Sequence, residues 1–200
     1  MKLWQRLLAT GVPASISRVD DYSAAAAATS HTKTCSLGSG SFVAVLALLD
    51  ASAGSVSSCT VNGVSATNVA GGTRAAIFVA TRTATTGDVV VNLGSSAKMG
   101  FIVYALDATS ATPTHTATDA TANTLATGIS VGGCGVTGGT DNNSTFTGSG
   151  DYTDSFRVTT SSGYSGLGAI INNATASPAT ENYSGAGSGS VNQLVGASWL

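Results

Sequence analysis

The stretch that decides the fold is VSSCTVNGVSATNV, residues 56–69. Two segments of strand length, residues 56–61 and 64–69, flank the dipeptide Asn62-Gly63. Asn and Gly both tolerate a positive φ, which the two central residues of a type I′ turn require. The stretch therefore predicts an antiparallel β-hairpin with a two-residue turn.

Short apolar or alternating segments recur on both sides of this hairpin, separated by Gly, Asn, Asp and Ser. The segment SFVAVLALLD, residues 41–50, has an uninterrupted apolar run, which is typical of a central strand buried on both faces. Further strands are predicted at residues 74–82, 88–93, 100–108, 124–131, 156–160, 168–171 and 191–199. Roughly ten to twelve strands in all predict an all-β protein, built as an antiparallel β-sandwich.

The length of 200 residues fits one main domain. Residues 19–30 are polar and then rich in alanine, with neither strand alternation nor a strong helix cap, so they predict a linker. We therefore predict an N-terminal arm and linker at residues 1–28 and a β-sandwich domain at residues 29–200. Three glycine-rich stretches lack the spacing of a phosphate-binding loop and predict turns and flexible loops: Gly132-Gly133, Gly138-Gly139 and residues 185–190.

The first dozen residues have the spacing of a short amphipathic helix. Leu3 and Leu7 lie one helical turn apart, as do Trp4 and Leu8, and Pro13 ends the pattern. A helix this short is marginal in water by itself. The segment is therefore either a frayed terminus or an arm, helical or extended, that folds against a partner. We favour the arm, because its apolar side chains would otherwise be exposed.

The composition limits the classes of partner. The chain is 42% hydrophobic but only 9% charged, against roughly 25% charged in an ordinary soluble domain. Its surface is therefore expected to consist of neutral Ser, Thr, Asn and Gly. A net charge of −2 provides no basic field for nucleic acid. Few charges also mean little repulsion between copies, which favours a protein held in a larger assembly.

Neither a membrane helix nor a secretory signal is expected. No segment approaches the ~20 uninterrupted apolar residues of a membrane-spanning helix. The N-terminal apolar run is interrupted by Gln5 and Arg6 before it reaches the length of a signal sequence.

Candidate catalytic groups are scarce. The chain has one glutamate, Glu181, and two histidines, His31 and His115, so we expect no catalytic site and no cofactor. Oxygen-rich loops at residues 141–143 and 151–154 could supply ligands to Ca²⁺. Their spacing is irregular, however, and hydrogen bonds to the local backbone also explain Asp and Asn in turns. We therefore expect no metal site.

The cysteines Cys35, Cys59 and Cys134 are odd in number and widely spaced. This pattern fits neither a disulfide framework nor a zinc site, so we predict buried free thiols. A single bridge, Cys35 to Cys59 or Cys59 to Cys134, is the alternative.

A glycan-binding face would need exposed aromatic rings with polar neighbours. Tyr152, Tyr164 and Tyr183 lie in the polar second half and could form such a face. The candidate contacts are Tyr152, Tyr164 and Asp151, which directly precedes Tyr152. The alternative is that these rings fill the core, as aromatic side chains in strands commonly do.

The run of segments across residues 42–108 resembles a β-sandwich domain of tailed bacteriophage structural proteins and related gene-transfer particles. The resemblance lies in the order of an apolar strand, the VSSCTVNGVSATNVA hairpin, and the strands RAAIFVATR, TTGDVVVNL and GFIVYALDA. It implies a jelly-roll-like subunit displayed on a virion as a capsid decoration, head spike, fibre or tail-attached part, commonly trimeric. It marks strands and turns and assigns no functional residue.

Three functional hypotheses follow. The first is a virion structural protein anchored to other virion proteins through Leu3, Trp4, Leu7 and Leu8. The second is a sugar-binding module for attachment to the host surface. The third is a hydrolase of host polysaccharide that uses Asp151 or Asp154.

Overall fold

The computed structural model describes residues 13–50, 54–120, 124–141, 147–161, 164–184 and 191–200. All regular structure in these ranges is antiparallel β-strand, which confirms the predicted all-β class. No helix in the described part of the chain is long and apolar enough to cross a membrane. The strands are β1 (Ser15–Ser23), β2 (Ala28–Ser36), β3 (Phe42–Leu49), β4 (Val56–Val61), β5 (Val64–Gly71), β6 (Ala75–Thr81), β7 (Thr86–Ala97), β8 (Met99–Asp107), β9 (His115–Asp119), β10 (Thr124–Thr127), β11 (Cys134–Asp141), β12 (Thr147–Gly150), β13 (Thr153–Ser161), β14 (Tyr164–Ile171), β15 (Ala179–Ser184) and β16 (Val191–Trp199).

The predicted hairpin is confirmed. Asn62 and Gly63 have φ angles of 49° and 77°, and Val61 pairs with Val64 across the two-residue turn. A Cβ at Gly63 would meet no atom within 4 Å, so glycine serves there for its backbone conformation and not for space. The hairpin forms β4 and β5 of an eight-stranded sheet with the strand order β1-β8-β3-β6-β5-β4-β7-β2.

The eight-stranded sheet curls until its two edge strands meet. On β1, the Asp20 carboxylate accepts a hydrogen bond from Lys33 Nζ at 2.6 Å and another from the Ser36 backbone N–H at 2.9 Å, both on β2. Burial alone would raise the pKa of Asp20, but these bonds outweigh it and lower that pKa. Hydrogen bonds of the Asp20 side chain, and not backbone pairing, therefore connect the edge strands β1 and β2. The eight-stranded sheet is nearly closed.

Strand β3 is buried on both faces, as its apolar run predicts. Its side chains alternate between two cores. Val43, Val45 and Ala47 point into the interior of the eight-stranded sheet, whereas Leu46 and Leu48 point to its outer face.

A five-stranded sheet, ordered β13-β14-β11-β16-β9, covers that outer face. The approach is close. A Cβ on Gly138 of β11 would lie 2.4 Å from Leu46 Cδ2, and one on Gly166 of β14 would lie 2.6 Å from Leu48 Cδ1. The prediction that Gly138-Gly139 forms a turn is therefore wrong. Both residues lie in a fully buried strand, and at Gly138 the absence of a side chain makes room for Leu46 of the opposite sheet.

A third sheet, ordered β10-β15-β12, packs on the other face of the five-stranded sheet. Two small apolar clusters join these layers. One consists of Leu125, Leu167, Tyr183 and Leu194. The other consists of Ile129, Tyr152, Ala169, Ala174 and Ala179. The three antiparallel layers are consistent with a β-sandwich.

Several sequence predictions fall on these strands and turns. The predicted linker at residues 19–30 is wrong, because β1 and β2 occupy most of it. The described residues contain sixteen strands, more than the ten to twelve expected. Gly132 lies in a turn with φ 85°, as predicted. The arm residues Leu3, Trp4, Leu7 and Leu8 and the glycine-rich segment 185–190 lie outside the described residues.

The three cysteines are buried free thiols, which confirms that prediction. Burial raises the pKa of Cys35, Cys59 and Cys134 to about 12. The thiolate, which is the reactive form, is therefore disfavoured at neutral pH.

Candidate functional site

Asp151, a predicted glycan contact, lies in the turn between β12 and β13. Its Oδ2 accepts a hydrogen bond from the Thr180 backbone N–H at 2.8 Å, and its own N–H donates to the Thr180 carbonyl at 2.9 Å. The carboxylate thus stabilises its own turn against β15. Thr180 lies 29 positions away in the sequence, so this bond joins distant segments and is not the local backbone bonding that was expected of acidic residues in turns.

Tyr152 fills the core. Its ring is 6% exposed and belongs to the cluster with Ile129, Ala169 and Ala174. Burial raises the pKa of its hydroxyl to about 12. A buried ring has no face to stack on a sugar. Tyr152 therefore fills the core, as the alternative interpretation of the sequence had it.

Tyr164 lies far from Tyr152. It begins β14, whereas Thr153, the neighbour of Tyr152, pairs with Ile170 at the opposite end of that strand. At ~3.4 Å per residue, the two ends are about 20 Å apart. The side chain of Tyr164 lies outside the described residues, and so do Asn142, Asn143 and the side chain of Asp154. The structure therefore does not bring Tyr152 and Tyr164 together.

The sequence offered no signal for the most perturbed carboxyl group, Glu181. It lies in β15 and is 1% exposed. Burial raises its pKa from 4.5 to about 7; the Tyr152 backbone N–H donates a hydrogen bond that opposes this rise, and the nearby Asp151 charge adds to it. Glycines on β12 make room for the carboxyl group, because a Cβ on Gly148 would lie 2.4 Å from Glu181 Oε1.

The outward face of β2, β7 and β4 carries short hydroxyl and amide side chains in cross-strand rows. Asn92 lies opposite both Ser30 and Ser58, and its Nδ2 donates to Ser58 Oγ at 3.1 Å. The next row along the strands runs from Thr32 through Val90 to Thr60. We call this surface the hydroxyl face; it consists of Ser30, Thr32, Thr34, Ser58, Thr60, Asp88, Val90 and Asn92.

The hydroxyl face is close to neutral. Its one charged member, Asp88, accepts a hydrogen bond from Thr34 Oγ1 at 2.5 Å. Neighbouring side chains on such a sheet repeat about every 4.8 Å across strands and about every 6.8 Å along them. The face can therefore offer a regular array of donors and acceptors to a neutral partner. The sequence pattern predicts no strand at residues 28–36, so it could not group these side chains.

Pro13, which follows the predicted arm, lies at one end of the sheets. Pro13 lines a cleft of about 270 Å³ together with Asp107, Ala108 and Thr109. Thr109 Oγ1 donates a hydrogen bond to the carbonyl of Leu200 at 3.3 Å. Pro13 and Leu200 thus lie at the same end of the molecule, and the cleft shares no residue with the hydroxyl face.

The described residues contain no group of three or more His, Cys, Asp or Glu side chains that could hold a metal ion. Comparison with known proteins adds no site, since no family model, curated protein or solved structure matches the chain.

Proposed function

We propose that the protein is a non-enzymatic structural component of a tailed-phage virion or related gene-transfer particle. On this proposal it is a jelly-roll-like subunit displayed on the particle surface as a capsid decoration, head spike, fibre or tail-attached part. It assembles as a homo-oligomer, with a trimer favoured. Residues 1–12, and not the whole predicted segment 1–28, anchor it to other virion proteins, because Ser15–Ser23 form β1 of the body. The arm contacts are Leu3, Trp4, Leu7 and Leu8.

The observation that carries this proposal is a layered body with a neutral surface and a defined point of attachment. Apolar cores lie on both faces of β3, which makes the body rigid. The outer surface of β2, β7 and β4 consists mainly of uncharged side chains. The segment with the apolar helical spacing precedes Pro13, at one end of the sheets. A rigid body with a short apolar tether suits display on a larger assembly.

Deletion of residues 2–12 tests the anchor. We expect the truncated protein to be missing from purified particles while its thermal unfolding midpoint stays within the error of the full chain. A matched pair separates apolar docking from chain length: Leu3→Ala with Leu7→Ala should reduce occupancy, whereas Lys2→Ala with Gln5→Ala should not. Full occupancy of the truncated protein on particles would contradict the anchor.

A second candidate function is binding of a neutral glycan on the host surface, and the hydroxyl face is the observation that favours it. Sugar hydroxyls can exchange hydrogen bonds with Thr32, Thr34 and Asn92, and Asp88, which is bonded to Thr34, is the one charged member of this face. Binding to immobilised neutral polysaccharide should weaken in Thr32→Val with Thr34→Val. The control variant, Ser15→Ala with Ser17→Ala, alters exposed hydroxyls on β1 and should bind as the parent chain does. Equal binding by both variants would exclude this face as the glycan site.

A further inference from the structure

Glu181 occupies a central position between two layers of the fold. It lies in the middle of β15, which pairs with β10 on one side and β12 on the other. Its side chain is 1% exposed, and it is the single glutamate of the chain. It therefore lies inside the interface that holds the three-stranded sheet to the five-stranded sheet.

The surroundings of Glu181 favour the neutral carboxyl group. Oε2 has no hydrogen-bond partner among the described residues. The titratable groups that face it are Asp151 and Tyr152, from the turn after β12, and Tyr183, from β15 itself. None of these three is a cation, and a buried carboxylate without a positive partner is strongly disfavoured.

Among the described residues, the layer that contains Glu181 is attached by little apolar surface. In this part of the chain, the two clusters on either side of Glu181 have four and five buried members. The two main cores have nineteen each among the same residues. A charge that appears inside so thin an interface can be hydrated by separating these layers, while the eight-stranded sheet stays folded.

We propose that Glu181 is a pH-sensitive latch that holds the three-stranded sheet closed while its carboxyl group is neutral and releases it when the group ionises. This device is independent of the proposed function. The opening equilibrium rises with pH between the ordinary glutamate pKa of 4.5, which applies to the open state, and the pKa of about 7 of the closed state. The sheet is therefore held closed at acidic pH, loosens progressively as the pH approaches 7 and loosens little further above it, because the open state accepts the charge and the closed state does not.

Hydrogen exchange measured by mass spectrometry tests the latch. With a closed-state pKa of about 7 and an open-state value of 4.5, the equilibrium for opening should rise roughly seventyfold between pH 5 and pH 8. After correction for intrinsic exchange rates, peptides from β10, β12 and β15 should lose protection by about that factor. Peptides from β3 and β8 should not. Uniform loss across all five strands, or no loss, would overturn the proposal.

The isosteric variant Glu181→Gln cannot ionise, so its exchange from β10, β12 and β15 should be the same at both pH values. Asp107→Asn, which changes an exposed carboxylate on β8, is the matched control and should keep the parent profile. Hydrogen exchange from these three strands that still depended on pH in Glu181→Gln would also overturn the latch.

A second measurement needs no variant. Because the chain has one glutamate, labelling glutamate with ¹³C at Cδ gives a single carboxyl resonance. Its titration midpoint should lie near pH 7 in the folded protein. A midpoint near 4.5 would refute the latch even if Glu181→Gln failed to fold.

Discussion

The close approach of two sheets at Gly138 can be tested by a double-mutant cycle. A Cβ added there would lie 2.4 Å from Leu46 Cδ2 and 2.7 Å from the Leu167 carbonyl oxygen. Both separations are below van der Waals contact, so Gly138→Ala must shift Leu46 or push the sheets apart. Overpacking of this kind costs about 1–3 kcal/mol.

Leu46→Ala removes the atoms that the new methyl group would meet. By itself it leaves a cavity in the core between the sheets and should cost about 2–5 kcal/mol. In the double variant the methyl group added at position 138 occupies part of that cavity. We therefore expect the double variant to be at least about 1 kcal/mol more stable than the sum of the two single changes. The rescue is partial, because the Leu167 carbonyl stays in place.

Urea unfolding followed by tryptophan fluorescence provides the free energies for this cycle. The matched control is Val45→Ala combined with Gly138→Ala, since Val45 belongs to the core on the opposite face of β3 from Leu46 and is not among the atoms nearest a Cβ at Gly138. That pair should be additive within about 0.5 kcal/mol. Additivity of the Leu46 pair, or coupling in the Val45 pair, would refute the inferred packing of the two sheets.

Three further predictions concern stability. The raised pKa of Glu181 means that its contribution to stability is fully present below pH 4.5 and is lost as pH rises through about 7. Glu181→Gln should therefore exceed the parent by up to about 3 kcal/mol in urea unfolding at pH 8 and match it at pH 4; equal stability at pH 8 would contradict the burial argument. Asn172→Ala should lower the free energy of unfolding by about 1–2 kcal/mol. The reason is that the side-chain amide of Asn172 exchanges two hydrogen bonds of 2.8 Å with the backbone of Ile16 on edge strand β1. An unchanged free energy of unfolding would show that the amide does not stabilise this edge. Asp20→Ala should cost about 1–2 kcal/mol and raise hydrogen exchange in β1 and β2, where its carboxylate joins the two edges; unchanged exchange in both strands would count against that role.

The strands that the sequence predicted share one property: the local residue pattern is sufficient to predict them without tertiary contacts. The Asn62-Gly63 turn needs positive φ at two successive residues, and few other residue pairs allow it. The run at residues 41–50 is apolar enough to require burial on both faces. Both features follow from the chemistry of adjacent residues and need no knowledge of distant ones.

The misplaced segments depend on partners far away in the sequence. Residues 19–23 form a strand because β8 supplies hydrogen bonds and Lys33 supplies a charge to Asp20. Gly138 and Gly139 form a strand because β14 and β16 pair with them on both sides, and Gly138 leaves space for Leu46 of the other sheet. Their own side chains carry no strand signal, so a local pattern predicts a linker or a turn.

The candidate functional residues also fall into those predicted from the sequence and those found only in the structure. The arm contacts Leu3, Trp4, Leu7 and Leu8 remain a prediction from helical spacing. The hydroxyl face exists only once β2, β7 and β4 lie side by side, since its cross-strand rows join residues that are distant in the sequence, such as Ser30 and Asn92. Glu181 carries no distinguishing signal within the segment ATENYS. Its raised pKa arises because the tertiary fold removes water from it and provides no cation in return.

By itself, the sequence determined the class of fold, the central hairpin, the doubly buried strand and the free thiols. Each of these depends on hydrophobicity, backbone preference or residue counts that are properties of the chain alone. Only the tertiary structure decided the three-layer stacking, the near closure of the eight-stranded sheet, the burial of Tyr152 and the environment of Glu181. Those features depend on which distant surfaces meet, and desolvation and close packing act only after they do.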